Sequence, residues 1–117
     1  MVADGNEIVE RSMAYALRII ALYRELQKDD VGRVLGKQLL RSGTSIGANV
    51  NEAQGGQSKA DFIAKMSIAQ KEALESIYWL KLFGKAEVIS ADRLQDLMDE
   101  AGQLTKILSA ILITAKK

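Results

Sequence analysis

Four polar residues are the chain's first candidates for chemistry: Ser42, Ser45, Asn49 and Glu52. A serine hydroxyl becomes a nucleophile when a neighbouring base removes its proton. The chain has no histidine and no cysteine, and no lysine is spaced to activate Ser42 or Ser45. Hydrogen bonding to the backbone is therefore the favoured role. We expect a structural polar cluster, no catalytic residue and no enzymatic activity.

Carboxylates offer a second kind of chemistry, because Glu52, Glu72 and Glu75 carry oxygen atoms that can bind metals. The metal sites of ferritin-like bundles also require Glu-x-x-His pairs, which a chain without histidine cannot supply. The run GTSIG, from Gly43 to Gly47, lacks the Gly-Lys-Ser/Thr ending of a phosphate-binding loop. We expect neither a metal nor a cofactor.

Three cations, Arg33, Lys37 and Arg41, stand four residues apart, a spacing that places them in one row along a helix. Such a row can contact nucleic-acid phosphates. Three contacts give only weak, salt-sensitive binding unless oligomerisation multiplies them. The net charge of +1 adds no general attraction. The row is a candidate RNA or DNA contact, and a solvated helix face is the alternative.

A second apolar face is predicted on the third helix, opposite its core side, where Ile68, Trp79 and Leu82 stand among charged residues. Tryptophan is a frequent anchor of subunit interfaces. We therefore predict that these three residues form an interface between copies of the chain. Scattered exposed hydrophobic residues, which are common on any surface, are the alternative.

The elements that must position these residues are four amphipathic helices, predicted at about 6–27, 31–53, 58–83 and 91–115. In the first helix, two apolar rows lie side by side and are expected to form one wide buried arc: Val9, Met13, Ala16, Ile20 and Tyr23, with Ile8, Tyr15, Ile19, Leu22 and Leu26 beside them. The fourth helix has the most regular spacing, with apolar residues alternately three and four apart.

Small and polar residues mark how the helices pack and end. Gly43 and Gly47 inside the second helix indicate a close approach between helices, because glycine there costs about 1 kcal/mol relative to alanine. Ser58 with Asp61 predicts the start of the third helix. Gly84 predicts its end, and Ser90 is expected to cap the fourth.

Composition bounds the architecture. A chain of 117 residues is one domain by size, and the absence of proline together with many strong helix formers favours helices throughout. Short links between long amphipathic segments predict an all-α, antiparallel, up-and-down four-helix bundle. No basic n-region and no apolar run of about 18 residues is present. We therefore expect a cytoplasmic protein with no membrane partner.

The stretch from Arg41 to Leu80 carries a specific resemblance. Its most characteristic parts are the Ser-Ile-x-Ala-Asn block that begins at Ser45, then Glu52, the glycine turn, and the Ser-Ile-Ala block that begins at Ser67. These features closely resemble the four-helix-bundle proteins of the 23S rRNA-intervening-sequence family, and the resemblance extends over nearly the whole chain. The chain also resembles the accessory variability protein of diversity-generating retroelements, which is a similar bundle.

The resemblance implies a bacterial four-helix bundle that assembles as a ring-like homopentamer. It leaves two functions open. One is a non-enzymatic oligomer that binds RNA or another nucleic acid in a ribonucleoprotein context, with the row of Arg33, Lys37 and Arg41 as contacts. The other is a structural scaffold whose surface recruits a protein partner without nucleic acid.

Overall fold

Four long helices make up the protein. The computed structural model describes the backbone of residues 2–117 and the side chains of residues 7–117. The helices are α1 (Val2–Leu26), α2 (Asp30–Gln54), α3 (Lys59–Lys85) and α4 (Ala91–Ala115). Among residues 2–117 no strand is present. The largest difference from the predicted spans is at the start of α1, expected near residue 6 and found at Val2.

The helices pack side by side in chain order. Each contacts its neighbours in the chain, and α4 returns to α1, although these two contact each other less extensively than the other pairs. Ion pairs that join an early position of one helix to a late position of its neighbour, such as Arg93 of α4 with Glu25 of α1, follow from antiparallel packing. The molecule is 44 Å long and 22 Å by 18 Å across. No helix within residues 2–117 is long and apolar enough to cross a membrane.

The two apolar rows of α1 are buried to different extents. The second row forms the core side, since Tyr15 and Ile19 are fully buried, whereas the first row is half-buried and its Met13 is 53% exposed. The predicted buried arc is therefore too wide at Met13. Ser12 completes the second row and is also fully buried. Its hydroxyl donates to the Val9 carbonyl at 3.2 Å, so a polar residue is part of the core stripe.

The predicted close approach is confirmed between α1 and α2. A Cβ atom on Gly43 would stand 2.8 Å from Cγ1 of Ile19, and one on Gly47 would stand 3.4 Å from Oγ of Ser12. Near the connecting turn, a Cβ atom on Gly32 would be only 2.7 Å from the Leu26 carbonyl oxygen. A Cβ atom therefore does not fit at Gly32 or Gly43 without displacing α1, whereas one at Gly47 would make a tight contact.

The helix ends follow local chemistry. Asp29 is the N-cap of α2, and its carboxylate accepts the Gly32 N–H at 2.8 Å. Ser58 caps α3 as predicted, accepting the Asp61 N–H at 3.1 Å. Ser90 occupies the N-cap position of α4, but its side chain makes no capping hydrogen bond.

The end of α3 differs from the prediction, because the helix continues through Gly84 to Lys85. The left-handed position comes later, at Glu87, whose φ is 59°. The Glu87 N–H donates to the Gly84 carbonyl and the Val88 N–H donates to the Phe83 carbonyl. These two bonds form a Schellman motif in which a glutamate holds the position that usually carries glycine.

Candidate nucleic-acid interface

The predicted cationic row lies on the outer side of α2, and Arg33, Lys37 and Arg41 are all exposed. The three residues differ in what surrounds them. Within residues 7–117, Arg33 and Lys37 form no ion pair, whereas Arg41 is held by two carboxylates of α3. The row is therefore two free cations and one neutralised cation.

Arg41 is the centre of a polar network between α2 and α3. Its Nη1 atom donates to both carboxylate oxygens of Glu72 at 3.1 Å, and its Nη2 atom pairs with Glu75. The Trp79 indole N–H also donates to Glu75, at 3.0 Å. The bonds from Trp79 and then Arg41 hold the pKa of Glu75 below its ordinary value, and the bond to Glu75 raises the pKa of Arg41. A phosphate must compete with two carboxylates for this guanidinium.

The spacing of residues within α2 places no acidic side chain next to Arg41, so its partners could not be predicted from that helix alone. The neighbours come from α3, at sequence separations of 31 and 34 residues. A second ion pair across the same contact joins Lys65 to Glu52 at 3.0 Å. Together they define the register in which α2 and α3 pack.

Two more cations lie near the free end of the row. Gly36 of α2 packs against Leu26 of α1, which sets the level at which these two helices meet. At that level α1 and the turn after it present two exposed side chains, Arg24 and Lys28. Neither forms an ion pair within residues 7–117. We define the cationic face as four residues: Arg24, Lys28, Arg33 and Lys37.

Acidic groups border the cationic face without closing it. Asp30 is exposed at the start of α2, and its carboxylate accepts the Val31 N–H at 2.8 Å. Glu25 is directed to α4, where Arg93 donates to it at 2.7 Å. The hydrogen bond from Arg93 is the main reason that the pKa of Glu25 is lowered, and the charge of Lys28 lowers it further. Glu25 is therefore largely neutralised by α4.

The predicted polar cluster does not form one pocket. Ser42 is fully buried and its hydroxyl donates to the Gln38 carbonyl at 2.9 Å. Ser45 and Asn49 likewise donate to backbone carbonyls one turn earlier, at 2.6 and 2.9 Å. Glu52 is exposed and pairs with Lys65. Each group satisfies its own helix or a neighbouring cation, and none is arranged as a nucleophile with a base.

A buried hydrogen bond that sequence reasoning missed joins α1 to α3 through the core. The hydroxyls of Tyr15 and Ser76 are 2.9 Å apart, and Ser76 donates to the Ala73 carbonyl at 2.8 Å. Because a serine has one hydroxyl proton, Tyr15 is the donor to Ser76. Burial raises the pKa of Tyr15 to about 12. The pair is structural, and a polar residue on a core stripe was the signal for it.

The residues predicted as an oligomer interface lie at different depths. Ile68 is 41% exposed, Leu82 is half-buried, and Trp79 packs partly against the core. Apolar side chains with a larger exposed fraction lie elsewhere: Met13 and Leu17 on α1, Val31 and Val34 on α2, Leu74 and Tyr78 on α3, and Ile113 on α4. Among the described residues, no group of three or more carboxylates is gathered to hold a metal ion.

A family model described as "23S rRNA-intervening sequence protein" matches residues 4–110 of the chain. No curated protein sequence gives a significant match. Among solved structures, the chain is similar to a protein of unknown function from the S23 ribosomal protein family of Bacteroides thetaiotaomicron. The two share 41% sequence identity over 93% of this chain and 97% of the other, with a TM-score of 0.89.

Proposed function

This chain belongs to the 23S rRNA-intervening sequence protein family, and from that premise we propose that its activity is non-catalytic binding of nucleic acid in a ribonucleoprotein context. The proposed contact is the cationic face. The observation that carries the proposal is that Arg24, Lys28, Arg33 and Lys37 are exposed at one end of the α1–α2 pair. Each is without an ion-pair partner among the side chains of residues 7–117.

The expected mode is contact with phosphates. Arg33 and Lys37 are one helical turn apart, about 6 Å along the axis, so both reach the same strand of nucleic acid. Phosphate contacts position a protein on nucleic acid without reading its sequence. We therefore expect binding that depends on salt far more than on base sequence.

A single protomer binds weakly by this mechanism. Four phosphate contacts give a salt slope of roughly 3 in a plot of log affinity against log salt concentration. We propose that copies of the chain assemble so that several cationic faces act together, and the family resemblance implies a ring of five. Linked sites gain affinity by effective concentration without any new contact.

The proposed interface between copies includes Ile68, with Trp79 and Leu82 about three and four turns further along the same side of α3. Ile68 is the best position for a test because it is exposed, whereas Trp79 also packs against the core. Ile68→Lys is expected to reduce the assembly mass in light scattering while the circular dichroism spectrum stays helical. An unchanged mass would remove this surface as the interface.

Salt-dependent RNA binding tests the cationic face. Lys37→Gln is expected to weaken binding and to reduce the salt slope by roughly one. Lys59→Gln is the matched control, because it removes the same charge at the other end of the bundle, where α2 ends and α3 begins. In the native protein the Lys59 ammonium donates to the Lys117 carbonyl. Equal losses in both variants would show that only net charge matters, and no binding by the native protein would reject the proposal.

A protein-interaction scaffold is the second candidate. The observation that favours it is the set of exposed apolar side chains on α1 and α2: Met13, Leu17, Val31 and Val34. Exposed apolar patches commonly mark protein contacts. A partner recovered with the native protein after nuclease treatment, but lost with Leu17→Lys, would favour this function over nucleic-acid binding.

A further inference from the structure

A line of exposed side chains on α3 has no role in the preceding proposal. Its members are spaced alternately three and four residues apart, which keeps them on one side of the helix. They are Lys71, Leu74, Tyr78, Lys81 and Lys85, and all five are exposed. The ring of Tyr78 is 57% exposed and meets Trp79 edge-to-face, with ring centroids 5.0 Å apart. We call this set the lysine–tyrosine stripe.

The lysines of the stripe are not neutralised by ion pairs within residues 7–117. By contrast, Lys65 of the same helix pairs with Glu52. The neighbouring side of α4 contributes one exposed cation, Lys106, and two exposed acids, Asp92 and Asp99, of which Asp99 accepts a hydrogen bond from Gln95 at 2.9 Å. Positive charge therefore predominates along the stripe.

An apolar cleft lies beside the stripe where the end of α3 meets the start of α4. Its volume is about 440 Å³. Leu80, Leu94 and Met98 supply apolar walls, and Lys81 and Lys85 also line it. One turn or two further along α4, a Cβ atom on Gly102 would meet nothing within 4 Å. The surface here is open and not closed by packing.

We propose that the lysine–tyrosine stripe and the adjoining cleft bind a single-stranded segment of nucleic acid. One unpaired base stacks on the exposed Tyr78 ring, and a neighbouring base enters the apolar cleft. Lys71, Lys81 and Lys85 contact the phosphates on either side. An exposed aromatic ring between cations is the combination by which proteins bind single strands without reading their sequence.

Charge and shape favour this occupant over others. A flat apolar base joined to an anionic phosphate matches an apolar cleft with a lysine rim. An acidic peptide would satisfy the lysines but has no requirement for the Tyr78 ring. At the cationic face of α1 and α2, the ring of Tyr23 is half-buried beside Gly36, so this face provides phosphate contacts and offers less ring surface for base stacking than Tyr78 does. The two faces therefore predict different preferences for strand type.

The test measures binding of a labelled oligouridylate and of an RNA duplex of equal length by fluorescence anisotropy. Tyr78→Ala is expected to weaken oligouridylate binding about tenfold and to leave duplex binding unchanged, since stacking requires an unpaired base. Tyr78→Phe keeps the ring and is expected to bind as the native protein does. Lys81→Gln is expected to reduce the salt slope for the single strand by roughly one, unlike the control Lys59→Gln.

Each contrary result has a distinct meaning. Equal losses for both RNAs, or no loss with Tyr78→Ala, would overturn the proposal. A fall in assembly mass with Tyr78→Ala would overturn it as well, because the stripe would then be an interface between copies. The proposal would also be overturned if an acidic peptide displaced the oligouridylate and bound the Tyr78→Ala variant as tightly as the native protein. A loss confined to Lys37→Gln would support the cationic face alone and reject the stripe.

Discussion

The two helix pairs of this protein use small residues in opposite ways. Between α1 and α2, glycines allow contact so close that a Cβ atom at Gly43 would overlap Ile19. Between α3 and α4, Gly102 faces open space and a cleft of about 440 Å³ remains at the end of the contact. A glycine inside a helix therefore indicates either tight packing or an accessible surface. Only the tertiary contacts distinguish the two.

This difference assigns different tasks to the two pairs. The α1–α2 pair is closely packed at Gly32, Gly36 and Gly43, and its outer side carries the cationic face. The α3–α4 pair leaves an apolar cleft next to the lysine–tyrosine stripe, where a ligand group can enter.

The largest expected effect comes from adding one methyl group on each side of the comparison. Gly43→Ala forces a Cβ atom against the buried, β-branched Ile19, and the overpacking costs about 1–3 kcal/mol, offset by up to about 1 kcal/mol of helix propensity. We expect a net loss of about 1–2 kcal/mol in the free energy of unfolding. Gly102→Ala is expected to gain up to about 1 kcal/mol. Urea unfolding followed by circular dichroism measures both, and equal responses would contradict the contrast.

Helix caps give the next effect. Asp29→Ala removes the carboxylate that accepts the Gly32 N–H, and we expect a loss of about 1 kcal/mol in unfolding free energy. Ser90→Ala at the start of α4 removes no capping hydrogen bond and should change stability by less than about 0.5 kcal/mol. Thermal unfolding of the two variants checks the order. A larger effect at Ser90 would mean that α4 depends on a cap that the structure does not contain.

The link between α3 and α4 offers a smaller change of opposite sign. Glu87 holds a φ of 59°, which costs a non-glycine residue about 1 kcal/mol. Glu87→Gly relieves that cost but enlarges the entropy of the unfolded chain, so we expect a net stabilisation of about 0.5 kcal/mol. Ala86→Gly is the control, because its backbone is right-handed and glycine there should only destabilise. Both are measured by urea unfolding.

The smallest effect concerns pH and the α2–α3 contact that joins the two pairs. The folded-state pKa of Glu75 is lowered by Trp79 and Arg41, so its contribution to stability is complete above the unfolded value of about 4.3. That contribution is lost as the pH falls through the lower folded value. Glu75→Gln should therefore show a shallower fall in thermal stability below about pH 4.3 than the native protein. If the two proteins lost thermal stability in parallel as the pH fell, Glu75 would not contribute to the acid sensitivity of the fold.

The regular parts of the fold were predictable because their apolar spacing is unambiguous. In α4, the predicted row is buried from Leu94 to Leu108. The row was expected to continue to Ile111, but there Leu112 is buried and Ile111 is only half-buried. In α1 two apolar rows lie side by side, and the structure buries the second while the first is half-buried and exposes Met13. Local composition therefore predicts a helix reliably and its inward side less reliably.

The candidate site was only partly predictable because it depends on register between helices. The exposure of Arg33 and Lys37 follows from α2 alone. The neutralisation of Arg41 follows from the alignment of α2 with α3, and the addition of Arg24 follows from the alignment of α1 with α2. No spacing within one helix contains that information. The lysine–tyrosine stripe was readable as a periodic line, but its neighbouring cleft requires the packing of α3 against α4.

The buried hydrogen bond between Tyr15 and Ser76 also bears on how the chain folds. The two residues are 61 positions apart, so a large loop must close before their hydroxyls meet. Contacts between helices adjacent in the chain close shorter loops, at a lower cost in chain entropy. We therefore expect the bond to form after those contacts, late in folding. An interaction that forms after the folding transition state slows unfolding and leaves the folding rate nearly unchanged. We therefore expect this buried bond to lengthen the lifetime of the folded bundle.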